Sequence, residues 1–192
     1  MKIRSLVEFE SRLDQEFAWR RRETSTLKLN LKSARSAHEE TLFRSSIVLL
    51  YAHWEGIVKM CAESYIIYLN GQGEKYSAIN PCFLFFATKL KLGDTAKINI
   101  QNFSMFERAQ ELFCKPLDEK FKVDPSISIS TRENQNMTSS EFKYLLGKIG
   151  LPYLTEFELK EKLIDEQLLR YRNQIAHGEN IHEDISDLYE TF

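Results

Sequence analysis

Glycine and proline are scarce in this chain, with seven and four in 192 residues. An all-β protein of this size needs many more turns, so the scarcity leans the fold towards long helices. Long hydrophobic runs are also missing. The longest, Ile47–Ala52 and Cys82–Ala87, fall far short of the roughly 20 residues that span a bilayer, so no membrane partner is expected. Met1–Phe9 carries Lys2, Arg4 and Glu8 and lacks the apolar stretch of a signal peptide. The three cysteines, Cys61, Cys82 and Cys114, are odd in number and lack metal-type spacing. They read as reduced thiols of a cytoplasmic protein. Basic excess is absent too: the net charge is −2 and the pI about 6.1. A broad nucleic-acid groove would be more basic. Any polyanion site must be local, a pocket with a few placed cations.

What is present is the balance of a folded protein, 43% hydrophobic and 28% charged. Its length is that of one domain, read here as a single domain over 1–192. Leu6, Phe9, Leu13, Phe17, Leu27 and Leu31 recur mostly in steps of three and four, predicting an amphipathic helix from Ser5 to about Ala34. A second helix is expected from Ala37 to Asn70. Its middle is apolar nearly all round, so it should be central and buried, with Gly71 in the left-handed position that ends it. Asn80 and Pro81 open a piece over about 81–92, and another helix is plausible from Phe103 to Leu117. Val123–Thr131 alternates like a short strand before a polar loop, an irregular insertion at about 121–140. Thr138 and Glu141 form a capping box for a helix through Ile149 that Gly150 closes. The last long helix runs from Thr155 to Ala176, with Leu159, Leu163, Ile164, Leu168, Tyr171 and Ile175 as its apolar stripe, and Gly178 ends it. Asp184–Phe192 adds one short turn. The fold class is all-α, a helical bundle with one irregular insertion.

Chemistry concentrates at the end of that helix, in Arg172, Asn173 and His177. Histidine both takes and gives a proton near neutrality. Arginine stays charged and presents a fork that fits phosphate oxygens. Asparagine orients an imidazole or a substrate group. At 100° per residue, Asn173 and His177 share a face, as do Arg170 and His177, whereas Arg172 lies about 140° round from His177. Spacing therefore leaves Arg170 a competitor for the cation role, and the simpler reading is a surface arginine beside a helix-terminal histidine.

The run Leu168–Glu179 resembles the signature of the HEPN superfamily: an Arg, a following polar residue, an interval of four to six residues, and a His at the end of the last helix. Arg172, Asn173 and His177 match the four-residue form, and Arg170 the six-residue form. The central helix Val48–Lys59 resembles that of the MAE-type bacterial HEPN-like nucleases. Ile129–Thr131 with Asn134–Asn136, and a helix ending at Lys148–Leu151, are similar to the same subfamily's middle region. The resemblance covers about 43–180, and 72–120 carries none of it.

The resemblance implies an all-α bundle that forms a homodimer, bringing two Arg–His motifs to one cleft. It implies a metal-independent endoribonuclease without a cofactor, of the kind found as toxins with a partner antitoxin protein and in phage defence. His177 is then the acid or base, Arg172 stabilises the phosphorane, RNA is the substrate because its 2′-OH attacks, and the product carries a 2′,3′-cyclic phosphate. The rival is a non-catalytic HEPN module that uses the same dimer to bind a partner or a nucleotide.

Five further candidates are weaker. Glu55, in apolar surroundings, needs a partner: Arg172 or Arg170 in the functional reading, any neighbouring helix in the simpler one. Glu179 tunes His177 or is solvated. His53 reads as packed, and Trp19 with Arg20, Arg21 and Arg22 as a solvated face before an RNA grip. His182 with Glu179 and Glu183 fits no usual metal spacing.

Overall fold

The computed structural model describes residues 2–34, 37–84, 86, 118–123 and 136–179. The expected helix Phe103–Leu117, the strand Val123–Thr131 beyond Val123, most of the polar loop that follows, and everything after Glu179, including His182, lie outside these residues.

Helix α1 runs Leu6–Ser33, and α2 runs Ala37–Gln72 beside it. Ser5 caps α1: its hydroxyl accepts from the Glu8 amide at 3.2 Å, while the Glu8 carboxylate accepts from the Arg4 amide at 2.7 Å. The apolar positions of α1 are not core positions, because no residue of this helix is fully buried. Leu6 is 55% exposed and Phe17 38%. Among the described residues α1 packs chiefly against α2, so much of its stripe is uncovered. Phe9 stacks on Tyr68 at 5.4 Å, and the Trp19 ring meets His53 edge-on at 5.2 Å.

Over its roughly 54 Å, α2 buries one stripe: Phe43, Ile47, Tyr51, Val58, Ala62 and Ile66. The expectation that its middle is buried all round fails, for Val48 is 40% and Leu49 37% exposed. The stripe serves two cores. Val58, Ala62 and Ile66 pack with Phe83, Phe86, Phe121, Met137 and Phe142, whereas Phe43, Ile47 and Tyr51 pack with Leu168, Leu169 and Tyr171. Trp54 borders both.

The end of α2 lies two residues later than expected. Gly73 (φ +68°) takes the left-handed position, and Gly71 is inside the helix. Gly71 has a steric role instead: a Cβ there would lie 2.1 Å from the Ile3 carbonyl oxygen. Asn80 opens the next turn as expected, its side chain accepting from the Cys82 amide at 3.0 Å over a 3-10 turn at Pro81–Phe83.

The described ends of the expected insertion are core, not excursion. Phe121, Val123 and Met137 are buried. Asn70 holds Val123 by both main-chain groups, at 2.8 and 2.9 Å, and the Phe121 amide bonds the Glu74 carbonyl at 2.7 Å.

Helix α3, Ser139–Lys148, starts at Thr138, whose hydroxyl accepts from the Glu141 amide at 3.0 Å. It closes as expected on Gly150 (φ +73°), with the Leu151 amide bonding the Leu146 carbonyl at 2.9 Å.

The continuous helix expected over 155–176 is interrupted. A single turn, α4 (Thr155–Glu158), is followed by a π-helix over Leu163–Leu169 and by α5, Arg170–Ala176. The wider i→i+5 turns change the phase of the stripe. Leu159 is 78% exposed, whereas Ile164, Leu168, Leu169 and Tyr171 are buried. Asp165, within the π-helix, receives the Ser139 amide at 2.8 Å and the Ser139 hydroxyl. That pins the π-helix to the start of α3. Among the described residues there is no strand, and no helix is long and apolar enough to cross a membrane.

Candidate active site

Helix α5 rests on α2, and this contact builds the candidate site. Tyr171 points into the core, and Arg172, the next residue, is half buried against α2. The Arg172 guanidinium lies over the Tyr51 ring, 4.9 Å from its centroid. Its Nη1 donates to Asn173 Oδ1 at 2.9 Å and makes a longer contact, 3.4 Å, with Asn136 Oδ1. Asn136 Nδ2 in turn lies 3.5 Å from Asn173 Oδ1. The long side chain thus reaches round the helix to the Asn173 face, the face that Asn173 shares with His177. Among the described residues no carboxylate lies within ion-pair distance of Arg172.

Tyr51 is held from two sides. Its hydroxyl accepts from the Met137 amide at 2.8 Å, and the Glu55 carboxylate lies near enough to act on it. Burial, aided by the nearby carboxylate, pushes the phenol up to about 12. Glu55 sits one turn further along α2 with an ion pair to Lys59. Burial opposes its charge. The Lys59 ammonium, the Tyr51 hydroxyl and the Arg172 charge together outweigh burial and hold the carboxyl below its ordinary range.

The expected direct pair between Glu55 and an arginine is therefore corrected. Lys59, four residues on, is the partner, and Glu55 reaches Arg172 through Tyr51 and through longer-range charge. Arg170 is more exposed than Arg172, and its guanidinium turns to its neighbour, 4.8 Å from the Tyr171 ring and bonded to the Tyr171 hydroxyl at 3.1 Å.

His177 is the C-cap of α5 and is exposed. Gly178 (φ +78°) provides the left-handed turn. The Gly178 amide bonds the Ile175 carbonyl at 3.0 Å, and the Glu179 amide bonds the Gln174 carbonyl at 2.9 Å. The Glu179 side chain is exposed, but its carbonyl accepts from Arg44 Nη1 of α2 at 2.7 Å.

Reading the sequence missed Tyr51, Arg44 and Lys59, and met Asn136 only inside a resemblance. Arg44, Val48, Tyr51 and Glu55 recur in steps of four, three and four, so one face of α2 supplies most of the second side of the site. That periodicity was the available signal.

The other clusters are tied up elsewhere. Glu16 pairs with Arg12 at 3.0 Å and with Arg20 at 2.6 Å and accepts from the Trp19 indole at 2.9 Å. The bonds from Trp19 and Arg20 hold its carboxyl below the ordinary range. Arg20 also stacks on Trp19 at 4.3 Å. His53 Nε2 lies 2.8 Å from a Glu23 carboxylate oxygen, joining α1 to α2.

Comparison with known proteins bears on the family and the fold. The family model described as RiboL-PSP-HEPN matches residues 15–192. The match bears out the HEPN resemblance and the all-α fold, and gives no support to the MAE-type subfamily. No curated protein and no solved structure matches the chain.

Proposed function

The chain belongs to the RiboL-PSP-HEPN family, and from that membership we propose that it is a metal-independent endoribonuclease. HEPN domains are usually associated with ribonuclease activity. The observation that carries the reading is the placement of Arg172. Its guanidinium is held over Tyr51 and bonded to Asn173, with no carboxylate paired to it among the described residues, on the helix that ends in exposed His177. A cation so held is offered to a phosphate.

In the proposed reaction the ribose 2′-OH loses its proton to a base as its oxygen bonds to phosphorus. The P–O5′ bond breaks and the leaving oxygen takes a proton. The products are a 2′,3′-cyclic phosphate and a 5′-hydroxyl, and no metal enters. Arg172 stabilises the phosphorane charge, Asn173 orients, and His177 transfers the proton. In-line geometry asks for a base and an acid on opposite sides of phosphorus. Two His177 side chains, one from each protomer of a homodimer, supply both. Glu55 supports Tyr51, while Arg170 and Glu179 flank the cleft. The setting we assign is a cytoplasmic toxin or phage-defence effector, with an antitoxin protein as partner in the toxin case.

The test is cleavage of diverse single-stranded RNAs in EDTA by wild type and His177→Ala. Cleavage by wild type alone supports the reading. Equal cleavage removes His177 from the mechanism. No cleavage by wild type favours the non-catalytic module.

A further inference from the structure

Arg44 has no place in the reaction as written, yet it makes a bond that links α2 to the end of α5 across 135 residues of sequence. Its Nη1 donates at 2.7 Å to the carbonyl of Glu179, the residue that completes the left-handed turn behind His177. Among the described residues the turn's own bonds come from the His177, Gly178 and Glu179 amides, all to carbonyls of α5. They hold its shape but do not fix it relative to α2. The Arg44 stem lines a hollow with Thr41, Val48, Leu49 and Ile175, so the guanidinium reaches the turn along a surface shared by both helices. A cation at the C-terminal end of a helix is also favoured by the helix dipole.

The same face of α2 presents Tyr51, seven residues on, which holds Arg172. One helix thus grips the guanidinium through Tyr51 and the imidazole-bearing turn through Arg44. We infer that Arg44 is a positioning residue, which sets the His177 imidazole relative to the Arg172 guanidinium by clamping the Glu179 carbonyl. The inference rests on His177 being the proton-transfer group.

The test uses Arg44→Gln and Arg44→Lys in the full chain, with two readouts. The first, amide hydrogen exchange at Gly178 and Glu179, does not need activity. Loss of one charge-assisted bond should speed exchange about 5- to 10-fold in Arg44→Gln. The second is cleavage of a labelled single-stranded RNA pool. There kcat should fall about tenfold with KM changed less than about twofold, and Arg44→Lys, which still reaches a carbonyl, should recover most of it. Unchanged exchange in Arg44→Gln overturns the clamp. Faster exchange with unchanged kcat overturns the positioning role. If wild type and His177→Ala cut RNA equally, the proposed function fails, and the positioning role with it, while exchange still reports on the clamp.

Discussion

The Arg172 guanidinium lies 4.9 Å from the centroid of the Tyr51 ring, and the Tyr51 hydroxyl accepts from the Met137 amide at 2.8 Å. One aromatic side chain therefore joins a candidate catalytic cation to the buried start of the α3 segment. Ring and hydroxyl do separate jobs, and substitutions can separate them. Tyr51→Phe keeps the ring under Arg172 but strands the buried Met137 amide, so it should lower stability by about 1–3 kcal/mol. RNA cleavage by the folded fraction should be largely kept. Tyr51→Leu removes the stacking as well, and cleavage should fall further than stability does. Urea unfolding beside single-turnover rates distinguishes the two.

The Tyr51–Glu55 link also has a pH signature. Tyr51 is raised on folding, from an ordinary 10 to about 12. A group raised on folding contributes stability that is complete below its unfolded value and lost as pH climbs through the folded one. Glu55 is lowered from 4.5, so its contribution is present above that value and lost as pH falls below it. The stability difference between wild type and Tyr51→Phe should hence be flat from about pH 5 to 9 and shrink on both sides. Urea titrations across that range measure it. A difference that keeps changing within the window contradicts the link.

Gly178 and Gly71 make a contrasting pair. A Cβ at Gly178 would meet nothing within 4 Å, but φ is +78°. Gly178→Ala should therefore cost about 1–2 kcal/mol through backbone strain alone, loosening the turn that carries His177 and slowing cleavage. Gly71→Ala instead drives a methyl into the Ile3 carbonyl oxygen at 2.1 Å. It should release the N-terminal segment from α2, seen as faster exchange at the Arg4 and Ser5 amides, with the RNA rate unchanged.

Asp165 anchors the π-helix to α3 by accepting the Ser139 amide at 2.8 Å together with the Ser139 hydroxyl. Asp165→Asn keeps one acceptor oxygen and loses the charge. A stability loss of about 1–3 kcal/mol is expected, because bonds to charged groups are the stronger kind. Urea unfolding checks it, and a loss within error would show that the π segment is held by packing.

Local signals were legible in the sequence. The Thr138 cap, Gly150 and Gly178 act through bonds a few residues long, and each appears where the pattern puts it. The Arg–Asn–His string was visible for the same reason. Long-range pairings were not. Which arginine faces α2 depends on the π-helix at Leu163–Leu169, which no hydrophobic period announced. Glu55 in an apolar run looked as if it needed a partner across a helix interface, but Lys59 on its own helix suffices. Leu6, Phe17 and Leu159 carry the right periodicity yet stay exposed, since periodicity shows which face is apolar and not whether anything covers it.

The central claim is that Arg172 and His177, and not Arg170, form a ribonuclease site. Its most direct measurement compares RNA cleavage rates in EDTA for wild type, Arg172→Gln, Arg170→Gln and His177→Ala, with the product ends identified. Arg172→Gln and His177→Ala should each fall about a hundredfold or more. Arg170→Gln should fall by no more than about threefold, the size of an exposed charge effect, and wild-type products should end in 2′,3′-cyclic phosphate. Full activity in Arg172→Gln, or 3′-hydroxyl ends that disappear in EDTA, would contradict the account.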